Sequence, residues 1–145
     1  MKKQTLLFTV LFAFLAAILI AGGCSKKEVD RWYLPSQVEA GRVLFQDHCA
    51  ACHGDNGEGA KDWREPLPDG THPPPPLNGS GHTWHHSLSP LKLTISAGGE
   101  PWGGVMPDFE GTLSDQQIDA VIAYFQSQWP PEIYQKWVKH GGLEK

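Results

Sequence analysis

Apolar residues run almost unbroken from Leu6 to Ile20, and after that they return only in short periodic groups. The first stretch has no polar face, so it reads as a targeting or membrane segment rather than a helix of a folded domain. The clearest helical period lies late in the chain. Ile118, Val121, Ile122 and Phe125 stand at i, i+3, i+4 and i+7, which lines one face of a helix. Ser114-Asp115-Gln116-Gln117 precedes them as a capping box, and Pro130-Pro131 ends the run. A second capping box, Ser36-Gln37-Val38-Glu39, predicts a helix over about 36–48 with Val38, Leu44 and Phe45 apolar. Gly41 and Phe45 are four apart and share a face, so another helix can come close at Gly41. Ser89-Pro90 predicts an N-cap and first position for a helix over 90–97, closed by Gly98-Gly99. Residues 132–140 predict one more short helix, with Ile133, Trp137 and Tyr134 turned inward. There is no strand alternation and no internal repeat, so the chain is expected to be all-α.

Two aperiodic stretches separate these helices. Residues 54–81 hold Gly-rich turns and the run Pro73–Pro76. A loop of that length in a small domain is usually functional. The proline run should be extended polyproline II, with free carbonyls and no donors. Residues 98–112 carry Trp102, Met106 and Pro107.

Charge and composition narrow the classes. Lys2 and Lys3, the apolar run and Ala21-Gly22-Gly23-Cys24 together resemble a bacterial lipoprotein signal, with Cys24 as the lipidated N-terminus. The alternative is a retained signal anchor, since the run is close to the ~20 residues that span a bilayer. Either form makes the protein exported and membrane-tethered, facing the periplasm or cell exterior. The expected organisation is a signal over 1–23, a tether over 24–35 and a folded domain over 36–145. Extended, Ser25 to Pro35 reaches at most ~35 Å. Trp32 and Tyr33 are expected to pack on the domain rather than rest on lipid. Without the signal the chain has ten basic and sixteen acidic side chains, a formal charge of −6. That excludes a polybasic nucleic-acid surface. Few large aliphatics and many Gly and Pro imply a thin core.

Cys49-Ala50-Ala51-Cys52-His53 is C-x-x-C-H, the attachment signature of c-type haem. Two thiols three positions apart on one turn can each add to a vinyl group of one porphyrin, and the next residue then brings an imidazole to the iron. A dithiol redox pair would sit at a strand-to-helix junction, and no strand is predicted. A zinc site needs further Cys or spaced His, and the remaining Cys is Cys24. A buried porphyrin also supplies the apolar volume that the composition lacks. A carbonyl of the proline run can accept the Nδ1–H of His53 and fix its ring.

The second axial position has one soft candidate. Met106 is the only methionine beyond the initiator, and a thioether ligand raises the potential of a haem iron. His72, His82, His85, His86 and His140 are the rivals. His82, His85 and His86 also cluster in sequence; on a helix His82 and His85 would face one way, which admits a copper or zinc site. A polar segment beside the haem edge is the simpler account, because no carboxylate or thiol joins them.

The order of motifs resembles that of class I, single-haem bacterial cytochromes c. It consists of a capped helix with Gly41 and Phe45, CAACH, Pro75-Pro76-Leu77, Met106-Pro107, and a last helix with Val121 and Tyr124. The resemblance covers 36–129. It implies the cytochrome c fold, four to five helices around one covalently attached haem with long Gly/Pro-rich loops. Gly41 and Phe45 would meet Val121 and Tyr124. Cys49 and Cys52 would hold the haem, with His53 and Met106 as axial ligands. Pro75, or Pro76 in its place, would accept from His53. Arg64, Trp84 and Trp102 would lie near the propionates. Residues 62–76 are longer and richer in Pro than in the smallest family members. The implied function is one-electron carriage, not catalysis, between membrane partners such as a quinol-oxidising complex, an oxidase or a dehydrogenase. A five-coordinate haem enzyme or gas sensor is the alternative, and a metal-handling lipoprotein using His82, His85 and His86 the second. Nothing in the sequence resembles a hydrolytic triad, a phosphate loop or a paired-carboxylate site.

Overall fold

The computed structural model describes residues 30–144. The apolar leader, Cys24 and the start of the tether lie outside the described residues. The chain divides into residues 1–30 and 31–145, and the described helices all belong to the second unit. They are α1 (Pro35–His48), α2 (Ala50–His53), α3 (Leu88–Ala97), α4 (Asp115–Ser127) and α5 (Pro131–Lys139), with short 3-10 turns at Thr83–His85 and Glu100–Trp102. No strand occurs among the described residues, as the periodicity predicts. No helix among them is long and apolar enough to cross a membrane.

Helix starts follow capping chemistry, with two corrections. α1 begins at Pro35, not after Ser36: Leu34 is the extended N-cap, and its N–H donates to Gln37 Oε1 at 2.9 Å. Proline fits the first helical position because no N–H is needed there. Glu39, expected in the box, instead pairs with Arg42 on the solvent face at 2.7 Å. α3 begins at Leu88 behind Ser87, not behind Ser89. The Leu88 N–H, which has no partner within the helix, donates to the Gly142 carbonyl at 2.8 Å. That contact from the far end of the chain extends the helix upstream. The α4 box forms as predicted: Ser114 N–H donates to Gln117 Oε1 at 2.9 Å and Gln117 N–H to Ser114 Oγ at 3.4 Å.

α1 and α4 form the main helix pair. Ile118, Val121, Ile122 and Phe125 are buried, as is Phe45. A Cβ at Gly41 would overlap the Ala120 carbonyl and lie 3.0 Å from Tyr124 Cβ, so only glycine permits this approach. One turn on, the Phe45 and Tyr124 rings meet at 5.1 Å.

A second, aromatic core lies at the end of α4. Trp129, Tyr134 and Trp137 are almost fully buried, with Trp129 edge-on to Trp137 at 5.9 Å. Ile133, expected inward, is only half-buried, because Tyr134 and Trp137, three apart, take the inward face. Both indoles donate to loop carbonyls, Trp129 to Leu77 and Trp137 to His86, each at 2.7 Å. Buried indoles need such partners. The segment before α1 closes over this core. Arg31 donates to the Gln126 carbonyl at 3.0 Å and lies 4.0 Å above the Tyr134 ring. Trp32 Nε1 donates to Gln126 Oε1 at 2.7 Å, and Trp32 N–H to the Tyr134 hydroxyl at 3.1 Å. Burial pushes the Tyr33 hydroxyl up to about 12 against the pull of Arg31, so it stays neutral. Trp32 and Tyr33 thus pack on the domain.

Candidate haem site

Cys49 breaks α1, and α2 carries the rest of the motif. Cys52 and His53 both donate backbone N–H groups to the Cys49 carbonyl, at 3.1 and 2.9 Å. One tight turn therefore holds both thiols and the imidazole. The thiols are free, Cys49 half-buried and Cys52 exposed. Burial, with the neighbouring Cys52 second, pushes the Cys49 thiol up to about 11, so it is protonated at neutral pH.

His53 is buried, and its Nδ1 lies 2.9 Å from the Pro75 carbonyl. A carbonyl only accepts, so the proton sits on Nδ1. Burial holds the ring's pKa below the usual histidine range, outweighing the Pro75 bond that favours the charged form. The ring is thus neutral, with its lone pair on Nε2, the state a metal-binding imidazole requires.

The long loop delivers Pro75 by folding back on α2. Gly59 N–H donates to the His53 carbonyl at 2.7 Å, Ala60 N–H to Pro74 at 2.8 Å and Leu77 N–H to Gly57 at 2.7 Å. Gly59 has φ +66, and a Cβ there would collide with the backbone of Pro75 and Pro76. The carbonyl of Pro76 is engaged elsewhere, accepting from Thr83 Oγ1 at 3.1 Å.

Met106 is half-buried on a separate loop. Its carbonyl accepts from Gly99 N–H at 2.8 Å, and Phe109 N–H donates back to Ser96 of α3 at 3.0 Å. These backbone bonds hold the Met106 loop against the end of α3. Trp84 is half-buried; Trp102 is 58% exposed. Arg64 lies 4.4 Å over the Trp63 ring.

The histidine cluster does not form a metal site. The segment takes a 3-10 turn rather than an α-helix, and its rings turn to different neighbours. His82 stacks on Trp63 at 5.2 Å and touches His86 at 5.4 Å, whereas His85 packs on Trp84 at 3.8 Å. His140 donates from Nδ1 to the Lys136 carbonyl at 2.8 Å. Among the described residues no three His, Cys, Asp or Glu side chains converge to hold a metal ion. The aromatic partners of His82 and His85 were not legible in sequence; the only sign was Trp63 and Trp84 amid polar residues.

Two free thiols on one turn, followed by a neutral imidazole with its Nδ1–H anchored, fit covalent haem. The family model for cytochrome c matches residues 38–129. The chain belongs to the cytochrome c family. It is a class I cytochrome c, and Cys49, Cys52 and His53 supply the C-x-x-C-H motif for its covalently bound haem c. Cbb3-type cytochrome c oxidase subunit FixP of Azorhizobium caulinodans is 35% identical over 92 residues, 60% of this chain and 28% of that protein. The FixP subunit of a Bradyrhizobium species is 31% identical over 118 residues, 77% of this chain and 37% of its own length. This cytochrome c thus spans well under half the length of those relatives. No solved structure matches it significantly. The all-helical architecture agrees with the cytochrome c fold expected from the motif order.

Proposed function

We propose that this cytochrome c is a membrane-tethered one-electron carrier, its iron held by Nε2 of His53 and the thioether of Met106. When bound, haem c supplies the Fe(II)/Fe(III) couple. The protein supplies ligation, burial and potential tuning. The observation that carries this is the 2.9 Å bond from His53 Nδ1 to the Pro75 carbonyl. It fixes the tautomer, orients the ring and raises the basicity of Nε2. Met106, the one methionine beyond the initiator, is the soft side chain proposed for the second axial position, and its loop is bonded to the end of α3. Were His53 and Met106 both to ligate the iron, no site would be left there for substrate, which favours carriage over catalysis.

The relatives' role as oxidase subunits supports respiratory membrane complexes as redox partners. Docking would be brief, through a small interface. The export signal over 1–23, lipidation at Cys24 and a tether over 24–35 would hold the domain over 36–145 at the outer face of the membrane. Arg31 to Tyr33 pack on the helical body, so the last part of the expected tether belongs to the folded domain.

A redox titration with spectra in both states tests the ligand set. A low-spin ferric form with the weak sulfur-to-iron charge-transfer band is expected. Met106→Ala should lower the midpoint potential and admit exogenous ligands. High-spin iron that takes up CO readily in the unmodified protein would refute the proposal.

A further inference from the structure

Four successive carbonyls at the end of the proline run each have their own donor. Pro74 accepts from Ala60 N–H at 2.8 Å and Pro75 from His53 Nδ1 at 2.9 Å. Pro76 accepts from Thr83 Oγ1 at 3.1 Å and Leu77 from Trp129 Nε1 at 2.7 Å. Ala60 and Thr83 belong to the same long loop as the carbonyls they hold, so they brace it only against itself. His53 is the group being held. Of the four, only Trp129 reaches the run from the far end of α4, 52 residues away.

Trp129 is a fixed post. It is 2% exposed, its N–H donates to the Gln126 carbonyl at 3.1 Å, and its ring meets those of Phe125 and Trp137 at 6.2 and 5.9 Å. The loop lies close against it. Gly79 has φ +93, and a Cβ there would stand 3.2 Å from both Trp129 Cδ1 and Pro130 Cδ. The Leu77 peptide is therefore held on both sides, its N–H by the Gly57 carbonyl at 2.7 Å and its carbonyl by the indole. Leu77 is two residues from Pro75, and the rings of Pro75 and Pro76 fix φ at both positions between. A displacement of Leu77 is thus carried to the Pro75 carbonyl rather than absorbed on the way.

We propose that Trp129 is a positioning residue for the haem iron: through Leu77 and Pro76, its indole N–H holds the Pro75 carbonyl on His53 Nδ1 and so sets the basicity of Nε2. The role rests on His53 as the iron ligand, and on neither Met106 nor the membrane tether. A firm bond at Nδ1 makes the imidazole a stronger donor to the metal, which favours Fe(III). Without the indole the Leu77 carbonyl loses its partner, the loop lifts more often, the bond to His53 weakens and the midpoint potential rises.

The test uses the haem-loaded protein at a pH of about 8, where a neutral histidine is the rule. It has two readouts, the midpoint potential and the exchange rate of the His53 Nδ1 proton, followed by NMR in the ferrous state. Trp129→Phe removes the donor. Trp129→His also gives up ring volume but keeps an N–H in the same place, since histidine Nε2 and indole Nε1 both lie two bonds from Cγ. In Trp129→Phe the exchange should quicken about fivefold, one hydrogen bond's worth. The ferric-to-ferrous balance should move about threefold toward ferrous, ~30 mV upward at 59 mV per tenfold. Trp129→His should lose comparable stability yet recover most of both values. Gly79→Ala pushes the loop off Trp129 without touching the aromatic core; it should move both readouts the same way, and it carries the test if Trp129→Phe does not fold. Parental readouts in Trp129→Phe, or in Gly79→Ala in its place, overturn the proposal. So does a Trp129→His protein that departs as far as Trp129→Phe, because the indole would then only fill space. A parent whose His53 ring shows no haem-induced shift would remove His53 as ligand, and the proposal with it.

Discussion

Replacing Gly41 with alanine adds one methyl group where α1 meets α4, and the cost follows from what that methyl touches. It would overlap the Ala120 carbonyl and stand 3.0 Å from Tyr124 Cβ. Both neighbours belong to the rigid frame of α4, so neither can rotate away. The helices must separate by ~1 Å to reach ordinary contact distances. That separation also loosens Phe45 against Tyr124, now 5.1 Å between centroids. Overpacking of this kind costs about 1–3 kcal/mol, occasionally more. Alanine returns up to about 1 kcal/mol through its better helix propensity. Because the obstruction is backbone, the upper part of the range applies, and a net loss of about 2 kcal/mol is expected. For a domain of this size that lowers Tm by about 8–12 °C. Thermal unfolding of the haem-loaded protein, followed by far-UV circular dichroism, measures it. Ala40→Gly is the control on the exposed face of the same helix: it crowds nothing and should cost only its propensity, about 1 kcal/mol. A Gly41→Ala protein as stable as the parent would show that the close helix approach does not exist.

Further expectations concern the second core, the cap, pH and the anchor. Trp32→Phe keeps an aromatic ring, smaller than the indole, but removes the donor to Gln126 Oε1, whose Nε2 already has no partner; urea unfolding should show a loss of about 1–3 kcal/mol, and an unchanged midpoint would mean the clasp is superficial. Ser114→Ala should cost about 1 kcal/mol through the lost cap of α4, read in the same assay. His82 has a lowered pKa in the folded protein, so the unfolded chain binds its proton first. Its contribution to stability is therefore present above about 6.5 and is lost as pH falls below that value towards the folded pKa. His82→Gln should flatten that part of a stability–pH curve, and an unaltered slope would remove His82 as its cause. Cys24→Ala should release the exported protein from membranes on fractionation, unless the leader is retained as an anchor.

Local chemistry was readable from the residue order. The C-x-x-C-H turn depends on contacts between neighbours three and four apart, so sequence alone places Cys49, Cys52 and His53 together. The Ser114–Gln117 box and the apolar face of α4 follow for the same reason. Tertiary contact decided the rest. Four consecutive prolines look alike in sequence; the bonds from Leu77 to Gly57 and from Thr83 to Pro76 select Pro75 for His53, 22 residues away. The true start of α3 depends on Gly142, and the packing of Arg31 and Trp32 depends on Gln126 and Tyr134. Of the histidines that admitted a metal site in sequence, His82 turns to Trp63 and His85 to Trp84, while His82 still meets His86 edge-on. Short-range order is set by backbone geometry and caps. Which distant carbonyl or ring meets which side chain is set only when the loops close, and no local pattern encodes that choice.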